Sequence, residues 1–192
     1  VQLIIPPGVE RYYLAQRSEP KSAEAYVAAC QFDVAAMKPY LITGDVLDIG
    51  CGLGGPSVLI AKHCGGTLHL LDGTSWGSRH INYGPSMEPY NDRSATDLMM
   101  AANGITEHRW WPVGATELPT VQNIVSLISW GWHYPVSIYG AAVARALVPG
   151  GRLILDLRPG KGGERELARD FEHVASYRGF GKCNKTVWQR RR

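Results

Sequence analysis

Two carboxylates bracket a run of glycines: Asp48 precedes Gly50, Gly52, Gly54 and Gly55 in "VLDIGCGLGG", and Asp72 closes "TLHLLD". Glycines that follow an apolar run and open a helix let backbone amides approach a ligand with no side chain in the way. Gly50, Gly52 and Gly55 satisfy the GxGxxG spacing of dinucleotide binders, whereas Gly50, Gly52 and Gly54 satisfy GxGxG, so the glycines alone leave the ligand open. Asp48 narrows the choice. A carboxylate just ahead of the turn would crowd the negative field of a pyrophosphate and suits a ligand that presents a cation. A second constellation is "SWGWHYP", Ser129 to Pro135, in which His133 is the best-placed general base. His80, Glu88 and Asp92 stand behind it for that role. A lone histidine beside tryptophans is more often a packed wall residue, and either aspartate alone is as well read as a structural tie. Together, in order, at the ends of adjacent strands, the aspartates favour a ligand.

The elements that must position these groups alternate. Apolar residues at helical spacing from Ser22 to Leu41 predict a leading helix with Ser22 as its cap. "DVLDIG" reads as a first strand, "PSVLIAKHC" as a helix stopped by Gly65-Gly66, and "TLHLLD" as a second strand. From Gly73 to Thr96 the pattern dissolves into Gly, Pro, Asn, Trp and Tyr, a loop much longer than the usual connection and therefore expected to carry function. "ATDLMMAANG" is a helix ended by Gly104, "EHRWWPVG" a third strand and "NIVSLISW" a fourth. "PVSIYGAAVARAL" is the next helix, closed by a Pro149-Gly150-Gly151 turn before a fifth strand, "RLILDL". A short polar helix from Gly163 to Phe171 leads into "HVASYRG" and "NKTVWQRR", two alternating runs that pair as a hairpin. Regular alternation of strand and helix demands a parallel sheet with helices on both faces. The expected fold class is α/β: a Rossmann-like three-layer sandwich, mostly parallel, with an antiparallel strand from the C-terminal hairpin.

The 192 residues, 45% of them hydrophobic, suffice for one well-buried core. A single domain over residues 1–192 is expected, with residues 1–43 as an N-terminal helical segment and 75–96 as a loop inserted over the site. A net charge of +3 lacks the strong field of a dedicated nucleic-acid binder. The arginines of "WQRRR" and Arg109 read as solvated residues rather than a nucleic-acid surface. Cys30, Cys51, Cys64 and Cys183 lack metal-site or disulfide spacing, so reduced thiols and a cytoplasmic setting are expected. No run is long enough to span a membrane, and no carboxylate cluster calls for a metal.

With these pieces in place, "VLDIGCGLG" resembles the first motif of class I S-adenosylmethionine-dependent methyltransferases, whose cofactor carries an ammonium and a sulfonium and no phosphate. "VGATELP" resembles that family's adenine-flanking segment, and "ARALVPGGRLILDL" its helix, Pro-Gly-Gly turn and fifth strand. The closing hairpin is similar too. The resemblance implies that Asp48 and the backbone of Gly50, Cys51 and Gly52 hold the methionine end of S-adenosylmethionine. It implies that Asp72 holds the ribose, and that Gly73, Thr74, Ala115 and Thr116 border the adenine, with Ser129 and Trp130 completing the cofactor side. Two departures stand out: Gly114 replaces an acid that often meets the adenine amine, and the fourth strand begins with Asn123 where Asp is common. Trp76, His80, Tyr83, Trp132 and Tyr134 are the expected acceptor contacts. The Asn-Pro-Pro-Tyr signature of enzymes that methylate amino groups of bases or amides is absent. The expected activity is methyl transfer to a small-molecule acceptor, at oxygen. Rival expectations are an RNA or protein methyltransferase, a catalytically silent cofactor-binding module, and a nicotinamide oxidoreductase, the last disfavoured by Asp48.

Overall fold

The computed structural model describes residues 2–12, 22–73, 83, 92–179 and 184–191. Helix α1 (Ala23–Met37) starts where expected because the Ser22 hydroxyl accepts a hydrogen bond from the Ala25 amide. Strand β1 (Gly44–Ile49), helix α2 (Gly55–Cys64) and strand β2 (Gly65–Leu71) follow without a spare residue between helix and second strand. Helix α3 (Arg93–Ala102) leads to β3 (His108–Trp111) and β4 (Val121–Ser126). A short 3-10 turn (Val136–Ile138), α4 (Gly140–Ala146), β5 (Leu147–Asp156) and α5 (Gly163–Leu167) precede the hairpin of β6 (Phe171–Arg178) and β7 (Asn184–Arg190).

The seven strands form one sheet in the order β3-β2-β1-β4-β5-β7-β6. Strands β1 to β5 pair in parallel; β7 inserts antiparallel between β5 and β6. The sheet is therefore parallel except for one strand, which is what the alternating pattern and closing hairpin required. The order reverses at β1 and β4, so the crevice at their carboxyl ends is the place where such sheets bind ligands.

Side chains alternate across the sheet, and the two faces carry two apolar cores. Val46, Leu68, Leu70, Val125, Ile154 and Val187 pack on one face with α1, α2 and α3. Leu47, Ile49, Ile124, Leu153, Leu155 and Trp188 pack on the other, with Trp130, Tyr139 and Val143. Each fully buried aliphatic side chain contributes on the order of 1.5–3 kcal/mol. The same parity decides where the polar strand residues go. Asp48, Asn123, Asp156 and Lys185, all buried, share the first face with Val46, Val125, Ile154 and Val187.

Several boundaries differ from the sequence expectation, each for a local reason. Asp92 caps α3 by accepting from the Ser94 amide, so the helix begins at Arg93 and residues 93–96 are not part of the loop. Strand β4 starts earlier, at Val121, and stops at Ser126; Leu127 to Trp130 leave the sheet. The Pro-Gly-Gly turn is absorbed into β5, which pairs Val121 with Leu147 and, after a register shift, Asn123 with Arg152. Trp188, in the alternating run expected to form the hairpin, is buried in β7, whereas Arg190, expected to be solvated, donates its guanidinium to the Leu147 carbonyl. Cys30, Cys51 and Cys64 are buried free thiols. Among the described residues no helix is long and apolar enough to cross a membrane.

Candidate functional site

The turn after β1 is a backbone structure held from outside. Gly50 donates to the Leu71 carbonyl at 2.7 Å, joining the ends of β1 and β2. Its φ of 77° is left-handed, and a β-carbon there would lie 1.8 Å from Ser129 Oγ, so no other residue fits. Three side chains from distant elements fix the rest. Tyr26 of α1 accepts from the Gly55 amide at 3.1 Å, Thr96 of α3 donates to the Gly52 carbonyl at 2.8 Å, and Ser57 of α2 donates to Asp48 Oδ2 at 2.6 Å. The tyrosine matters for the ligand question. Gly55 opens α2, and its amide, one of those an anion would use, is taken by a hydroxyl; Pro56 follows with no amide to offer.

Two carboxyls face this turn. Burial pushes Asp48 up to about 7 against the Ser57 hydrogen bond, and the charge of Asp72 adds to the rise. Asp72 accepts from Gly52 through Oδ2 and from Gly73 through Oδ1, both at 2.7 Å. Burial lifts it to about 6, and the two amides and the Cys51 thiol hold it down. Each carboxylate oxygen can accept a second hydrogen bond, so Asp72 keeps acceptor capacity for a diol. Two carboxyls that burial holds partly protonated, in a crevice, form a site that a cation would bring to full ionisation. Burial and both aspartates push the Cys51 thiol well above its ordinary value, so it is an inert wall of the turn.

The segment expected to border the adenine follows β3. Gly114, exposed and at φ 82°, donates its amide to the Tyr139 hydroxyl at 2.8 Å. A β-carbon there would meet nothing within 4 Å, so the position is open in space and the positive φ alone favours glycine. Ala115 is half-buried and Thr116 exposed, its carbonyl accepting from Arg145 at 3.1 Å. Asn123 lies away from this region: its carboxamide accepts from the Ile42 amide at 3.0 Å and donates to the Ile42 carbonyl at 2.7 Å. An aspartate could not donate, so Asn123 is a staple between β4 and the segment before β1.

The loop after β4 carries the second constellation. The Ser129 carbonyl accepts from the amides of Trp132 and His133 at 3.0 and 2.7 Å, folding the segment into a tight turn. Ser129 itself abuts Gly50, as the blocked β-carbon position shows, so the two loops touch. Trp132, His133 and Tyr134 are half-buried, and the His133 and Tyr134 rings meet edge to face with centroids 6.4 Å apart. Trp130 is a correction. It is fully buried in the second core, donating its indole N–H to the Val136 carbonyl at 3.1 Å, so its side chain supports the loop from beneath. Asp92 is another: as the cap of α3 it accepts from Ser94 and Tyr12, hydrogen bonds that hold its carboxyl low, and it is committed to that structure rather than to proton transfer.

Of the long loop, Tyr83 is described. Lys161 Nζ and the Arg158 guanidinium lie 5.2 and 5.9 Å from its ring, which brings Tyr83 over the segment after β5. Thr74, Trp76, His80 and Glu88 lie outside the described residues. The structure thus gathers Asp48, Gly50, Cys51, Gly52, Asp72, Gly73 and Ser129 at the carboxyl ends of β1, β2 and β4. Tyr26, Ser57, Thr96 and Tyr139 serve it without having been anticipated; only Ser57, on the first turn of the helix after the glycines, carried a usable sequence signal.

This strand order, with β7 the one antiparallel strand among the described residues, is a Rossmann-like α/β fold. Solved structures agree. TrmN from Thermus thermophilus superimposes with a TM-score of 0.58 at 17% identity, over 86% of this chain and 48% of that one, so the chain spans about half of its length. The ribosomal protein L11 methylase of Lactobacillus delbrueckii subsp. bulgaricus gives 0.60 at 16% identity over 86% and 79%. The N-methyltransferase NodS of Bradyrhizobium japonicum, in complex with S-adenosyl-L-homocysteine, gives 0.58 at 14% identity over 95% and 96%. No protein-family model matches the sequence, and no curated protein matches it.

Proposed function

We propose that the chain is an S-adenosylmethionine-dependent methyltransferase that acts on a small-molecule acceptor, at oxygen. The observation that carries the cofactor reading is the turn itself. Asp48 and Asp72 flank it, and the Gly55 amide at the helix start is capped by Tyr26, so the crevice has the polarity for an amino-acid cation and a ribose and lacks that for a pyrophosphate. Asp48 and the backbone of Gly50 to Gly52 would hold the methionine end, Asp72 the ribose, and Gly73, Thr74, Ala115 and Thr116 the adenine. The NodS complex with S-adenosyl-L-homocysteine supports this assignment on the shared fold.

Bound there, the cofactor supplies an electrophilic methyl group. The chain's own work is positioning and desolvation, because the acceptor lone pair must lie in line with that methyl. Trp132, Tyr134 and Tyr83, with Trp76 and His80, would wall the acceptor, and His133 would take the proton of a hydroxyl acceptor. The absence of Asn-Pro-Pro-Tyr after β4 supports oxygen over an amide or base nitrogen, and the modest net charge supports a small acceptor over RNA.

Calorimetric titration with S-adenosylmethionine, S-adenosyl-L-homocysteine and NAD tests the reading. Binding of the two adenosyl compounds and not of NAD is expected; binding of NAD alone sinks it. Turnover against a panel of hydroxylated small molecules then tests the acceptor class, with His133→Ala expected to lower kcat by about 10²-fold or more. Full turnover of that variant at every pH would remove the base assignment, and steeply salt-dependent RNA binding would move the acceptor to RNA.

A further inference from the structure

A chain of buried charge ends on the backbone of the loop after β4. Lys185 of β7 and Asp156 of β5 are fully buried and Asp33 of α1 nearly so. Lys185 Nζ donates to Asp156 Oδ1 and Oδ2 at 3.2 and 3.1 Å and lies 3.5 Å from Asp33 Oδ1. Asp156 Oδ2 also accepts from the Ile128 amide at 3.0 Å. Ile128, at φ 53°, is the one non-glycine residue with positive φ among those described. A β-branched residue avoids that region unless its surroundings impose it. A buried ion pair is seldom worth more to stability than apolar residues of the same volume, so three buried charges converging on a strained residue ask for another reason.

The loop supplies one. Ser129, next in the chain, seats against Gly50, and its carbonyl organises Trp132 and His133. The far side of the loop is tied as well, the Arg158 amide donating to the Gly131 carbonyl at 3.0 Å. We infer that Lys185, acting through Asp156, is a positioning residue for the acceptor side of the site: the buried Asp33, Lys185 and Asp156 hold Ile128 left-handed and so set Ser129 against the glycine turn and present Trp132, His133 and Tyr134. This inference rests on the methyltransferase reading for what the loop faces. Neither Lys185 nor Asp156 touches the reacting atoms.

Deuterium exchange of the Ile128 amide, followed by NMR in the full chain, reads the hydrogen bond without any acceptor. In Lys185→Met that amide is expected to exchange about tenfold faster, relative to the Ile124 and Val125 amides of β4, the factor carried by a hydrogen bond to a charged acceptor. The double variant Lys185→Met with Ile128→Gly is expected to recover at least half of the melting temperature that Lys185→Met loses, because glycine needs no enforcement at positive φ. Exchange at Ile128 that keeps pace with β4, or purely additive losses in the double variant, overturns the inference. If Lys185→Met does not fold, Lys185→Gln, which keeps a donor toward Asp156, is held to the same two criteria. Failure of both to fold even with Ile128→Gly also overturns it, since the charges then serve the whole fold. Titration of the unsubstituted chain with S-adenosyl-L-homocysteine separates the two readings: no binding removes the methyltransferase assignment, while the exchange result still decides the role of Lys185.

Discussion

The turn after β1 and the loop after β4 leave neighbouring parallel strands on the same side of the sheet, and they are built on opposite plans. The first gets its left-handed backbone from glycine and is pinned by single hydrogen bonds from Tyr26, Ser57 and Thr96. The second has a left-handed glycine of its own at Gly131, but it also puts that conformation on isoleucine, at Ile128, and holds it with a buried carboxylate that a buried lysine neutralises. A turn that must bring bare backbone to a ligand has no room for side chains. A loop that must present side chains cannot be glycine throughout, and where it is not, a left-handed conformation has to be imposed from below.

The contrast can be broken at the turn, where the largest effect is expected. Gly50→Ala drives a β-carbon into Ser129 at positive φ; it should lower stability by about 3 kcal/mol and weaken S-adenosyl-L-homocysteine binding more than about 100-fold, measured by thermal unfolding and calorimetry. Unchanged binding would mean the cofactor does not use this turn. Asp72→Asn keeps one acceptor for the amides of Gly52 and Gly73 but loses the charge, and affinity should fall roughly 10- to 100-fold while the fold persists.

Protons offer a gentler probe. Asp48 and Asp72 titrate near 7 and 6 in the folded chain and near the ordinary carboxyl value when unfolded. Between about pH 4 and 7 the folded state holds protons that the unfolded state has lost, so these two groups favour folding most at the acid end and less as pH rises. The decline in melting temperature over that window should be shallower in Asp48→Asn. A ligand that presents an ammonium to Asp48 has the reverse preference, and affinity for S-adenosyl-L-homocysteine, whose one cationic group is that ammonium, should rise about tenfold from pH 5.5 to 7.5. A flat profile would detach Asp48 from the ligand. The smallest effects sharpen the division of labour. Tyr26→Phe should cost about 1 kcal/mol in stability by freeing the Gly55 amide. Trp132→Ala should leave S-adenosyl-L-homocysteine affinity within about threefold if that side chain serves the acceptor, as proposed; a larger loss would assign it to the cofactor.

Local patterns carried most of the architecture. The period of the apolar residues marks every strand, and Ser22 and Gly65 mark helix ends, because those signals depend on a few neighbouring residues. The first errors came where distant pairing decides. β5 swallowed the Pro-Gly-Gly turn because β4 offered it a partner at Val121, and β4 ended early because Asp156 captures the Ile128 amide. Trp130, placed on the cofactor side by its position in the chain, is core because the loop folds it inward under Ser129.

The amino-acid order by itself determined the alternating α/β plan and the place of the glycine turn between two aspartates, since each is written in a short stretch, while the spacing of the glycines left the ligand open. Tertiary structure alone decided which hydroxyl caps the turn, why Asn123 stands where it does, and that Lys185 lies buried between Asp33 and Asp156. Those contacts join residues tens of positions apart, and whether a buried polar group is satisfied depends on which strands become neighbours, a choice no local pattern contains.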